Sequence, residues 1–243
     1  MTSTSDRGAT VTVMISGGFA LAYGKAVPAF QRETGIAVET LSGASQGTGP
    51  KTIRSQLERG AAVDVVILSN EGLHDLAGEG RIAEGSAVEL ATAPLAAAIR
   101  TGMPRPDVGS VAALTRTLAE ARLIAVLGST SGLFIQNTVL PALGIAGSVR
   151  LRVYPRGTDS TAALAAGEAD IALGPISELV DIPGIEPVGA LPDAVQLVQT
   201  FTAAVIVTAR HPEAAKRLIA FLQSDKTAAA IRSVGMEPRQ TPG

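Results

Sequence analysis

The chain has 243 residues, 46% hydrophobic and 17% charged, with a formal net charge of −2. That composition supplies a buried core and excludes a disordered, charge-swollen chain, while the length admits one large domain or two small ones. With no Cys and only 2 His, disulfides, thiolate metal sites and thiol nucleophiles are excluded. A weakly acidic chain without an Arg- or Lys-rich run offers no field for a nucleic-acid backbone.

Residues 1–10, MTSTSDRGAT, are polar where a signal peptide would carry an apolar stretch. The sequence as it begins is therefore expected to be cytoplasmic, or periplasmic if a leader was trimmed ahead of Met1. Gly, Pro and charges interrupt every apolar run before the roughly 18 residues that span a bilayer, so membrane insertion is not expected.

Residues 11–15 read as a strand. Residues 19–33 follow with helical spacing at Phe19, Tyr23, Val27 and Phe30, closed by Thr34 and Gly35. A strand over 36–41 precedes a helix opened by Gly49 and Pro50 and running through Arg59, then a buried strand over 63–68 with Ser69 and Asn70 as turn and cap. Residues 88–100 are extended and lead through the loop TGMPRPDVGS into a helix over 111–121. The alternation then begins again: strand 123–127, helix 132–143, strand 151–154, helix 160–166, strand 171–173. A long β-type run over 195–208 and helices over 213–223 and 226–233 complete the chain. Such βα alternation defines an α/β class built on mostly parallel sheet.

An internal echo favours two similar lobes. Residues 59–68 and 166–173 both run from a helix end through Gly and a short turn to an Asp and a buried strand. Residues 15–19 and 126–132 both place Ser and Gly between a strand and a helix. The expected division is a first lobe of 1–92 with 200–243 and a second of 93–199, with a ligand cleft between them.

In open α/β sheets, ligands bind beyond the carboxyl ends of the strands. Those positions here hold Ser16, Gly17 and Gly18; Ser42, Ser45 and Gln46; Ser69; Ser129, Thr130 and Ser131; and Arg156, Thr158 and Asp159, with Glu178 after the last. Hydroxyls and exposed backbone N–H groups at helix starts suit an oxyanion, although a single Ser before a helix is more often only its cap. Neither a P-loop nor a GxGxxG turn is present, which disfavours nucleotides. Of the basic residues, Lys51 and Arg54 share a helix face, and Arg156 sits between Pro155 and Gly157 where a bidentate carboxylate contact would be natural. His74 and His211 fall in or beside surface helices.

The ordered blocks SGGF, SGASQGTGPKTIRSQLERGAAVDVVILS, GSTSG, RGTDS, ADIALGPISEL with IPGIE, and HPEAAKRLIAFLQSDKTAAAIRSVGMEP extend over nearly the whole chain. Together they resemble the molybdate-binding-protein-like branch of the type II periplasmic solute-binding family, and within it the aconitate isomerase subgroup. The resemblance implies two Rossmann-like lobes joined by two crossing strands. It also implies an anion held by Ser16, a Ser of the 42–45 loop and the 129–131 turn. The second-lobe Tyr of molybdate binders has no counterpart, since no Tyr follows Tyr154.

Two functions follow as expectations. The first is a cofactor-independent isomerase that moves a double bond in a small unsaturated di- or tricarboxylate such as aconitate. Serines would hold the carboxylates, Arg156 and Arg54 would pair with them, and Lys51, Glu178 and Asp159 would be candidate bases. Each candidate base also has a structural reading: Asp159 as a helix cap, Glu178 as a surface residue, Lys51 as part of a solvated helix face. The alternative is the substrate-binding protein of an ABC transporter for molybdate, tungstate or a small carboxylate, with a permease as its partner. Neither reading calls for a metal or cofactor.

Overall fold

A computed structural model describes residues 8–239; the polar segment from Met1 to Arg7 lies outside the described residues. The chain divides into one compact unit of residues 1–92 and 200–243 and a second of residues 93–199. Two strands cross that boundary, β4 (Val88–Arg100) outward and β9 (Val198–Val205) on the return.

The first unit is built on β1 (Thr10–Ile15), β2 (Ala37–Ser42) and β3 (Val65–Ser69). β1 pairs in parallel with both β2 and β3, and β3 pairs antiparallel with β9, giving the order β2-β1-β3-β9. α1 (Gly17–Thr34) buries Phe19, Tyr23, Val27 and Phe30 and ends at Gly35, whose φ of 69° only a residue without a Cβ adopts at little cost. Phe30 meets Phe221 of α8 (Pro212–Gln223) edge to face, with ring centroids 5.5 Å apart. α9 (Asp225–Arg232) and the short β10 (Glu237–Pro238), which pairs with the start of β4, finish this unit.

The second unit repeats the plan. β5 (Ile124–Leu127) pairs in parallel with β6 (Leu151–Tyr154) and with β7 (Ile171–Pro175), and β7 pairs antiparallel with β4. β6-β5-β7-β4 thus corresponds strand for strand to β2-β1-β3-β9. β4 alternates between two cores: Leu95, Ala97 and Ile99 join Leu114, Val126 and Leu173, while Ala96 and Ala98 join Ala125, Leu164 and Ala172. Burial on both faces makes residues 93–99 of this strand read as an unbroken apolar run.

The repeat extends to single hydrogen bonds. Asp64 N–H donates to the Thr12 carbonyl at 2.8 Å, and Asp64 Oδ2 accepts from Thr12 N–H at 2.9 Å. Asp170 does the same beside β5, its N–H donating to Leu123 O at 3.0 Å and its Oδ2 accepting from Arg122 N–H at 2.7 Å. The echo in the sequence is therefore a shared way of locking the third strand of each sheet to the first.

Several elements depart from the sequence expectation. α2 begins at Ile53 rather than Gly49, because the Thr52 hydroxyl accepts from Ser55 N–H and caps the helix there. Ser69 and Asn70 open a full helix, α3 (Asn70–Gly78). α4 (Val111–Glu120) is as expected. The helix expected over 132–143 is broken: α5 (Thr130–Phe134) passes through a π turn (Ile135–Val139) into α6 (Leu140–Ala142). Leu140 follows that turn, its N–H reaching back to Ile135 O in the wider π register, and Pro141, which cannot donate, comes next. α7 (Gly157–Ala165) starts three residues early, which makes Arg156 its cap. β8 (Ile185–Ala190), antiparallel to β4, has no counterpart in the sequence reading.

Candidate functional site

In each unit the three parallel strands end on one edge of the sheet, and the residues singled out from sequence gather there. At the end of β1, Ser16 caps α1 without making a side-chain capping bond; its N–H donates to Ile67 O at 2.9 Å on the neighbouring β3. Its Oγ is buried and unpartnered. Gly17 is exposed at the head of the helix, and Gly18 is buried because a Cβ there would fall 2.0 Å from the Phe201 ring.

Ser45 is buried beside that edge, its Oγ accepting from Ser69 N–H at 3.0 Å. Ser69 is buried at the cap of α3. Glu71 follows in the first turn, with Oε2 buried and unpartnered. Gln46 turns outward, donating to Asp75 Oδ2 at 3.0 Å, and Ser42 is exposed at the end of β2. Lys51 is exposed in the turn before α2. Arg54 is held by Glu79 at 2.6 Å and Glu58 at 3.3 Å, so its charge is compensated within the first unit.

In the second unit, Ser129, Thr130 and Ser131 are all buried at the head of α5. Gly132 permits this turn: a Cβ there would fall 1.6 Å from the Leu127 carbonyl oxygen. At the end of β6, Tyr154 packs against the core cluster that holds Leu164 and Leu179, and its hydroxyl is buried without a partner. Arg156 grips Asp159 in a two-point contact of 3.0 and 2.8 Å, so the guanidinium and the expected acid neutralise each other; Thr158 is exposed beside them.

Glu178 differs from the other candidate bases. It lies in a 3₁₀ turn after β7 (Ile176–Glu178), and its carboxyl folds over the first residue of α7, where a Cβ on Gly157 would fall 2.1 Å from Oε2. Burial pushes this carboxyl up to about 7. The group is thereby poised to gain or lose a proton at neutral pH.

Three of the unpartnered groups, Glu71 Oε2, Tyr154 Oη and Gln199 Oε1, were not singled out by sequence reasoning. The signal that could have found Tyr154 is its place as the last residue of β6, which pairs with β5, the strand that leads to Ser129. Buried polar atoms without partners are rare in native proteins, and each unit carries its own near strand ends, where ligands of open α/β sheets are held. Among the described residues no group of three or more His, Asp or Glu is arranged to hold a metal ion, and no helix is long and apolar enough to cross a membrane. A cavity of about 240 Å³ bordered by Arg100, Met103, Arg122 and Asp170 lies where β5 and β7 begin, away from these loops.

The fold and the strand-end loops together define a periplasmic-binding-protein architecture of type II. The chain belongs to the bacterial extracellular solute-binding protein family, whose model matches residues 11–237. It is 32% identical over 231 residues to an aconitate isomerase of Pseudomonas sp, covering 94% of this chain and 88% of that protein. Among solved structures it is similar to the periplasmic molybdate-binding protein of Azotobacter vinelandii (TM-score 0.73, 18% identity, 95% of this chain and 100% of that one). It also resembles the sulfate-binding protein SubI of Mycobacterium tuberculosis H37Rv (TM-score 0.74, 17% identity, 95% and 87%). At these identities the solved structures speak for the fold.

Proposed function

We propose that this chain is a cofactor-independent isomerase that shifts a proton along an allylic system in a small unsaturated di- or tricarboxylate of the aconitate type. The observation that carries the reading is Glu178, a carboxyl set over the head of α7 and raised by burial to about 7. A base of that strength is suited to take a proton from carbon at neutral pH, where an ordinary carboxylate is too weak. The relationship to an aconitate isomerase over most of both chains supports the same reading.

The chemistry needs few parts. Glu178 removes a proton from the methylene carbon next to a carboxylate, and the C–H electrons form a new double bond as the old one moves. The proton is then returned to the far carbon of the allylic unit, so nothing is oxidised or reduced. In the second unit, which carries Glu178, the 129–131 turn supplies hydroxyls, with the N–H groups at the heads of α5 and α7, to hold carboxylates and the charge that develops on them. Arg156 is a ligand contact only if a substrate carboxylate displaces Asp159. The test is to mix the purified protein with cis- and with trans-aconitate and follow the vinylic protons by NMR. Interconversion is expected, and silence at high protein concentration removes the reading.

The second reading, an anion-binding component of a transporter, is favoured by the family itself and by the unpartnered Ser16 hydroxyl at the head of a long helix. Titration calorimetry with molybdate separates the two: tight binding without aconitate turnover supports transport, and no heat removes molybdate.

A further inference from the structure

Two glutamines three residues apart on the returning segment behave in opposite ways. The Gln196 amide is fully engaged: Oε1 accepts from Leu95 N–H at 2.7 Å and Leu197 N–H at 3.0 Å, while Nε2 donates to Leu95 O at 3.1 Å and Leu191 O at 2.9 Å. It is a structural clamp on β4. Gln199 is only 3% exposed, yet its carbonyl oxygen has no partner.

Burying an amide oxygen unpaired destabilises the fold, a penalty that a Leu or Met of similar shape would avoid. Gln199 shares a face of β9 with Phe201, the residue that closes over Gly18. Within the second unit, Leu197, two residues before Gln199, accepts from Leu95 N–H at 3.1 Å, and Leu95 pairs with Pro175, the last residue of β7, from which the turn bearing Glu178 follows. An amide can turn either its N–H₂ or its oxygen toward a ligand, so it serves a carboxylate as donor without adding charge.

We propose that Gln199 is a ligand-contacting residue, its side-chain amide hydrogen-bonding a carboxylate of the bound substrate. This rests on the isomerase reading above and adds a binding residue that the strand-end loops do not contain. The cost of the unpaired amide in the free protein is then offset only on binding.

The test compares wild type with Gln199→Leu, and with Gln199→Met should the branched side chain fold poorly. Aconitate turnover and thermal unfolding are measured with and without aconitate. The expected result is a KM raised about tenfold with kcat little changed, because one hydrogen bond to a charged group is lost equally from ground and transition states. In the same variant the ligand-free melting temperature holds or rises, and the stabilisation by aconitate shrinks. An unchanged KM overturns the proposal, as does a fall of several degrees in the ligand-free melting temperature, which marks a structural tie like Gln196. If wild type neither turns over nor is stabilised by aconitate, the isomerase reading fails and the Gln199 contact fails with it; a responsive wild type with an unaffected variant removes Gln199 alone.

Discussion

At the scale of single residues, Glu178 ties folding stability to pH. Its folded value, near 7, lies above the ordinary 4.5, so the folded state holds this proton more tightly than the unfolded chain. Folding stability attributable to this group is therefore undiminished below about 4.5, declines as pH rises from there to about 7, and stays reduced above. Glu178→Gln removes the penalty. The variant is expected to match wild type in urea melts at pH 4 and to exceed it at pH 8, by at most about 3 kcal/mol. Gly132→Ala acts in the opposite sense. Its Cβ would lie 1.6 Å from a backbone carbonyl that cannot swing aside, and a loss of about 2–4 kcal/mol is expected in the same melts.

At the scale of elements, Asp64 ties separate segments of the first unit together. Besides Thr12, its carboxylate accepts from Arg210 N–H at 2.7 Å and His211 N–H at 3.1 Å, so one buried side chain joins β1 to the segment that enters α8. Asp64→Ala leaves three backbone donors unpaired and is expected to cost about 3 kcal/mol or more in denaturant unfolding. The same scale shows what the sequence made legible. Strands with unbroken apolar runs, such as β3 and β4, and helices with clear periodicity, such as α1 and α8, follow from pattern alone. α3 showed in the sequence only as the cap at Ser69 and Asn70; Gly72 within it stands where a Cβ would meet the Ser45 carbonyl at 2.3 Å, a demand made by tertiary packing. β8 was hidden by Pro187 and Gly189, which a strand pairing only along β4 tolerates.

At the scale of the whole molecule, two units of matching strand order place matching groups at matching ends. Ser16 and Ser129 follow the central strands, and Glu71 and Glu178 follow β3 and β7. The hydroxyls were legible because strand ends could be found from pattern. The unpaired state of Ser16, Tyr154 and Gln199, and the internal compensation of Arg54 and Arg156, are properties of side-chain surroundings that no local pattern encodes. The proposed turnover through Glu178 is tested by the rate of cis- to trans-aconitate conversion from pH 5 to 9 for wild type and Glu178→Gln. The predicted result is a wild-type rate that rises through a midpoint of about 7 to a plateau, as the carboxylate becomes free to accept a proton, with the variant slower by roughly 10²–10⁴ throughout. A flat wild-type profile, or a Glu178→Gln variant as fast as wild type, would contradict it.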